Sequence, residues 1–301
     1  MQHRVLRHVL TSAAVVALGF LPALTASSAV AQTDAVRVSS PGLAKAQRVV
    51  SLDLCTDQIL VELVDRKRIA AVTHLATDPA VSAIPEKAKG LPITHGAAED
   101  VLRHDPDLIL AGPFGVSPTV SLLRRLNLNV VVVPQAPDMD GVRASVRMVA
   151  TAVGEKEKGE AMIADFDRRL ASIPPARTDR PLKVIIYQIG GTVSGGGSLA
   201  ESVLATAGFR NMAAEYRLTR GGQVPLEALV ATPPDLLVLS SAANEYRTAI
   251  ADNLRHPALL ALRRTHASIE LPWQLWLCGT PHVAEAVARL AEARTRIEAR
   301  R

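Results

Sequence analysis

One segment of this chain occurs twice, and the repetition narrows the folds open to it. Glu99-Asp-Val-Leu-Arg-His-Asp-Pro-Asp-Leu-Ile-Leu110 aligns without a gap on Glu227-Ala-Leu-Val-Ala-Thr-Pro-Pro-Asp-Leu-Leu-Val238. Both copies open on Glu, and both place Pro then Asp, at Pro106-Asp107 and Pro234-Asp235, just before an apolar run. Proline ends a helix and biases the residue before it toward extended backbone. The segment therefore reads as a short helix, an enforced stop and a buried strand. One copy per half of the chain implies two similar lobes.

The rest of the sequence fits that division. Arg48-Val49-Val50-Ser51-Leu52-Asp53-Leu54 reads as a strand, Thr56 to Val64 as a helix with Thr56 as its N-cap, and Ile69 to Val72 as a second strand. Leu108 to Ala111 is a buried strand ended by Gly112-Pro113, Val116 to Leu126 a helix, and Val130 to Val133 a β-branched run stopped by Pro134. After a boundary at Ser172 to Pro181, the alternation resumes with strands at Lys183 to Tyr187, Leu236 to Leu239 and Ala267 to Leu271. Helices are expected at Leu199 to Ala207 and His282 to Ala299. Short apolar strands alternating with amphipathic helices predict an α/β fold, with parallel sheets covered on both faces in two Rossmann-like lobes. Between the lobes, Val142, Val146, Val149, Val153, Met162, Ile163, Phe166 and Leu170 recur at helical spacing. They predict a long connecting helix, or two in series if Gly154 breaks it.

The N-terminus carries an export signal. His3, Arg4, Arg7 and His8 precede an apolar run from Val9 to Leu24, and Ser28-Ala-Val-Ala-Gln32 fits a small-x-small cleavage site after Ala31. The run is short for a membrane span, and Pro22 interrupts it. The expected layout is a cleaved signal peptide over 1–31, a tether over 32–47, a first α/β lobe over 48–140, a connecting helix over 141–171 and a second lobe over 182–301. The formal net charge is +5, to which Arg4 and Arg7 of the signal peptide contribute two. The remaining charges are interspersed, with no basic run and no interleaved aromatics, which argues against nucleic-acid binding.

In open α/β sheets a ligand binds beyond the carboxyl ends of the strands, so two facing lobes would bind one in the cleft between them. The residues expected there include Cys55 and Thr56 after the first strand, His74 after the second, Phe114 after the Leu108 strand, Gln188 in the second lobe, and Trp273, Trp276 and Cys278 after the last strand. The chain is only 3% aromatic, yet both tryptophans fall in that last loop, which suits a flat or bulky ligand. Either Trp could instead close the core beneath the final helix.

With these residues in view, the chain resembles the periplasmic binding proteins that serve ABC importers of vitamin B12, ferric siderophores and heme. The resemblance rests on Arg48-Val-Val-Ser-Leu52, the Pro106-Asp107-Leu108-Ile109 and Pro234-Asp235-Leu236-Leu237 strands, the central helical segment and the Gly190 to Ser198 turn before a helix. It implies a monomeric, ligand-capturing protein of the periplasm, without a resident cofactor, whose lobes close little around a metal chelate. It also implies that one exposed Glu on each lobe meets arginines of the membrane permease, and Glu99 and Glu227 match those positions. Siderophore binders often carry cleft arginines. Here Arg217 and Arg220 are the nearest candidates, and Arg220 is counted among the expected ligand contacts. This scarcity tilts the expectation toward a neutral ligand such as a corrinoid.

Two other chemistries compete. His74, His95 and His282 with Cys55 and Cys278 are all near predicted loop ends and could ligate a transition-metal ion, although no two have ligand spacing. An exported hydrolase would need Cys55 as nucleophile with His74 or His282 as base, but the chain has no Gly-x-Ser-x-Gly elbow. Its Gly190-Gly-Thr-Val-Ser-Gly-Gly-Gly197 stretch fits neither phosphate-loop pattern. The cysteines themselves are expected as two free thiols on opposite cleft walls rather than as a disulfide, since a bridge across the cleft mouth would obstruct a bulky ligand.

Overall fold

The computed structural model describes residues 45–114, 117–177, 181–240 and 251–301. The expected signal peptide and most of the expected tether lie outside the described residues. No helix among the described residues is long and apolar enough to cross a membrane.

Each lobe is built on a parallel sheet. In the first, β1 (Val49–Ser51), β2 (Ile69–Thr73), β3 (Ile93–Thr94), β4 (Leu108–Ala111) and β5 (Val130–Val132) stand in the order β3-β2-β1-β4-β5. All four strand pairs are parallel. Helices α1 (Leu54–Leu63), α2 (Pro85–Ala88), α3 (Ala98–Arg103) and α4 (Ser117–Arg125) lie in the connections. The central strands are buried at every residue, as a sheet covered on both faces requires.

The two helices that follow, α5 (Met139–Val153) and α6 (Lys156–Ala171), form the link between lobes. The connection is therefore not one continuous helix. Gly154 ends α5 with φ 73° and ψ 31°, a left-handed cap that glycine adopts without steric penalty, and the chain turns back. The two helices run antiparallel, with Arg143 Nε donating to Asp167 and Arg147 Nε to Glu160 across the pair. Each of the two helices serves both cores. Val146, Val149, Val153 and Ile163 belong to the core of the first lobe, while Met139, Val142 and Phe166 pack with the core of the second.

In the second lobe, β6 (Leu182–Tyr187), β8 (Phe209–Asn211), β10 (Leu236–Ser240) and β11 (Ala267–Leu271) form a parallel sheet in the order β11-β10-β6-β8. A small antiparallel pair, β7 (Thr192–Ser194) with β9 (Gly221–Gln223), sits beside it. Helices α7 (Leu199–Thr206), α8 (Leu226–Ala231), α9 (Pro257–Thr265) and α10 (Val283–Glu298) complete the lobe.

The twelve-residue repeat has a structural reason. In the first lobe it forms α3 and β4, and Asp107 accepts the backbone N–H of Gln47 at 2.6 Å and of Arg48 at 3.0 Å, just ahead of β1, the neighbour of β4. In the second it forms α8 and β10, and Asp235 accepts the N–H of Lys183 at 2.7 Å in β6, the neighbour of β10. The proline stops the helix, and the aspartate fastens the start of the adjacent strand.

Helix α1 begins at Leu54, not at Thr56. Asp53 is its N-cap and accepts from Cys55 N at 3.0 Å and Thr56 N at 3.2 Å. The Thr56 hydroxyl bonds Ser51 Oγ at 2.7 Å and the Asp53 carbonyl at 2.9 Å. One turn further on, Asp57 is fully buried and accepts the Thr73 N–H and hydroxyl. Burial pushes its carboxyl up to about 8, against the opposing hydrogen bonds from Ser51 and Thr73. An unfolded Asp titrates near ~3.9, so between those values the folded protein holds a proton that the unfolded chain has released. That contribution to stability is complete below about pH 4 and is lost as pH rises toward 8, at up to about 1.4 kcal/mol per pH unit. Asp57→Asn keeps an oxygen for the Thr73 N–H and cannot ionise. Its urea midpoint is expected to gain steadily on the wild type from about pH 4 to about pH 8. A difference that stays constant across the range would show that Asp57 does not titrate in this way.

Candidate functional site

The carboxyl ends of the first sheet form the floor of a pocket between the lobes. Asp53, Cys55 and Thr56 come from the turn after β1, Pro113 and Phe114 from the end of β4, and Val133 to Ala136 from the end of β5. Leu199, at the start of α7, with Leu277 and Gly279 closes it from the second lobe. The enclosed part holds only about 70 Å³, and the space including the open mouth is about 510 Å³.

The wall is mostly apolar. Phe114 stands 67% exposed at its rim, the largest exposure among the large apolar side chains. Among the described residues, Asp53 is the single formal charge in the lining, which contains no described Lys, Arg or His. Burial pushes its carboxyl up, and the N–H groups of Thr56 and Cys55 pull it back down. A Cβ on Gly112 would fall 2.4 Å from Asp53 Oδ2, so only glycine at the end of β4 leaves room for that carboxylate.

Cys55 and Cys278 are not the free thiols expected from the sequence. They form a disulfide with their Cα atoms 5.2 Å apart, well within bridging range. The bond does not span the cleft mouth. It lies at the base, where the first turn of α1 meets the segment leading into α10, and Gly279 is packed so closely that a Cβ there would meet Ala136. The contact continues along one face of α1. Thr280 Oγ1 lies 3.5 Å from Gln58 Oε1 in a buried pair, and His282 Nε2 lies 3.6 Å from Glu62 Oε1. Residues 55, 58 and 62 share a helix face by their spacing, and 278, 280 and 282 answer them in order. Burial lowers the His282 pKa, against the pull of Glu62, so the last rung of this seam is a contact of neutral imidazole with carboxylate near pH 7.

The other expected contacts divide. Thr56 and Phe114 line the pocket, although the Thr56 hydroxyl is already occupied. Trp276 is a correction. It is only 5% exposed and belongs to the second lobe's core with Val283, Val287 and Leu290, closing the space under α10. Trp273 is half-buried against it, edge to face with centroids 4.6 Å apart. His74 is exposed beside His95, their rings 5.1 Å apart, and does not line the pocket. Gln188 and Arg220 are in the second lobe outside the lining, Gln188 tied through its backbone to Thr192 and Asn253. The metal-ion alternative loses its sulfur ligands to the disulfide, and among the described residues no group of three or more His, Cys, Asp or Glu could hold a metal ion. Asp53, Ser145, Leu199 and Leu277 were missed. For Asp53 a signal existed, since Asp directly after a strand and before an apolar helix is a favoured N-cap.

Comparison with known proteins agrees with this geometry. The family model described as periplasmic binding protein matches residues 49–266. A cobalamin-binding protein from Halobacterium salinarum is 27% identical over 256 residues, covering 83% of this chain and 68% of its own length. Among solved structures, the periplasmic heme-binding protein RhuT from Roseiflexus sp. RS-1 superposes with a TM-score of 0.69 at 24% identity, over 84% of this chain and 99% of that one. The periplasmic vitamin B12 binding protein BtuF of Vibrio cholerae gives 0.64 at 19% identity, over 84% and 98%. At these identities the structural likenesses speak for the fold. The related proteins are named for binding, not for catalysis.

The disulfide makes a direct prediction. Unfolded without reductant, the protein is expected to present no reactive thiol, and two after reduction. The bond closes a separation of 223 residues, for which the chain-entropy treatment gives roughly 5 kcal/mol. Cys55→Ser with Cys278→Ser should therefore melt well below the oxidised wild type and match the reduced one. Two reactive thiols in the unreduced protein would contradict the bridge.

Proposed function

From membership in the periplasmic binding protein family, to which this chain belongs, we propose that it is the exported solute-binding component of an ABC importer and captures a metal chelate in the cleft between its lobes. The candidates are cobalamin, a ferric siderophore and heme, and the reading favours a corrinoid. The observation that carries the preference is the lining of the interlobe pocket, which among the described residues is mostly apolar with one carboxylate and no cation. An anionic chelate would bring its charge toward Asp53 without a compensating Arg or Lys in that wall. The named relative among curated proteins, a cobalamin-binding protein, supports the same choice. Export rests on the basic start, apolar run and small-x-small site of residues 1–31, with the mature chain beginning at Gln32.

Delivery to the permease is assigned to Glu99 and Glu227. Both are exposed in the first turns of α3 and α8, the equivalent helices of the two lobes. Carboxylates at those positions are favoured by the helix dipole alone, so exposure does not set them apart. Their recurrence at matching repeat positions does.

Titration of ligand-free protein with cyanocobalamin, heme and a ferric hydroxamate tests the reading. Saturable one-to-one binding of cyanocobalamin, tighter than of the other two, is expected. Preference for heme would remove the corrinoid assignment, and no binding of any chelate would remove the importer reading. For docking, Glu99→Ala with Glu227→Ala should leave chelate affinity nearly unchanged, because both residues lie outside the cleft, and should reduce uptake in cells more than either single change, because exposed pairs are each worth only ~1 kcal/mol. Uptake equal to wild type in the double variant would rule out these contacts.

A further inference from the structure

Asp53 is tied to the fold through one oxygen only. Its Oδ1 takes the two N–H groups at the start of α1, while Oδ2 has no hydrogen-bond partner among the described residues. The side chain is half-buried, and Oδ2 sits over the bare Cα of Gly112 in the lining of the interlobe pocket. A carboxylate needs Oδ1 alone to cap the helix, and Asn or Ser would cap it equally well. The second oxygen is thus a free acceptor on the wall of a mostly apolar cavity, where a ligand's donor meets less competition from water than on an open surface. Phe114, exposed on the same wall, offers an apolar face for a ring.

We propose that Asp53 is a specificity-determining residue of the cleft, its Oδ2 accepting a hydrogen bond from a neutral N–H donor, a primary carboxamide, on the periphery of a ring ligand seated against Phe114. The assignment rests on the chelate-binding reading above and goes beyond it. The same oxygen repels a carboxylate presented at that place. Selection between an amide-bearing and an acid-bearing periphery is therefore made on the floor of the first lobe by one side chain, with no basic residue among the described residues of the pocket. A merely structural cap would not distinguish the two peripheries.

The test uses full-length mature protein with two variants, Asp53→Asn and Asp53→Ser, which keep a capping oxygen. Their melting temperatures are expected to match the wild type. Probes are cyanocobalamin, whose ring carries primary amides, and its monocarboxylic acid derivatives, in which one amide is hydrolysed. Wild type should bind cyanocobalamin at least about ten-fold more tightly than either variant, the scale of one hydrogen bond to a charged group. At least one monocarboxylate should bind wild type poorly and recover in Asp53→Asn, whose amide donates where the carboxylate accepted. Equal cyanocobalamin affinity in wild type and variants would overturn the assignment while leaving the chelate-binding reading intact. So would an equal proportional loss for amide and acid probes. If wild type binds no chelate at all, the parent reading fails and the assignment fails with it.

Discussion

The seam between α1 and the segment entering α10 fixes how the two halves of this molecule meet. Three successive positions on one helix face, Cys55, Gln58 and Glu62, are matched by Cys278, Thr280 and His282, the first pair covalently. A disulfide at the base of the cleft constrains the lobes without blocking the mouth. Beside it, the α5–α6 hairpin packs on α1 and gives residues to both cores, so bending between lobes would have to pull Phe166 or Ile163 out of a packed interior. The disulfide and the packed helices thus join the two lobes in one continuous contact.

The repeat shows how two lobes with different sequences reach the same local plan. Only a few chemical requirements are kept: a helix stop, an aspartate to receive the leading N–H of the neighbouring strand, and apolar residues for a buried parallel strand. Asp107 and Asp235 meet the same requirement with different partners. The glutamates that open each copy make no contribution to either core. Both stand in the first turns of α3 and α8, where the helix dipole favours a carboxylate.

The chemistry of the cleft is set as much by what its wall lacks as by what it holds. With a single carboxylate and an exposed phenylalanine, the pocket offers an apolar face and an acceptor edge. Gly112 is part of that arrangement, since any side chain there would displace Asp53. Because Asp53 also caps α1, the recognition group is held by the same hydrogen bonds that begin the helix carrying Cys55, Gln58 and Asp57. Its position is thereby coupled to the seam.

The sequence by itself determined the local units. Periodicity and β-branched runs placed the strands at Val49, Ile69, Leu108, Val130, Lys183, Leu236 and Ala267. The Pro-Asp repeat announced two lobes, because these signals depend on neighbours in the chain. It also put the expected cleft at strand ends, and Thr56 and Phe114 stand near the ends of β1 and β4. Only the tertiary structure decided which distant residues meet. Nothing in the spacing of Cys55 and Cys278 shows that the lobes touch at the base of the cleft, so the thiols read as facing walls. Trp276 read as a cleft aromatic because a loop position does not reveal whether the ring turns toward ligand or core. Asp53 looked like part of a strand because its role depends on a glycine at the end of another strand, Gly112, brought beside it by β1–β4 pairing. Pattern along the chain encodes elements. Contacts between residues far apart in sequence are set by packing and strand order, which no local pattern records.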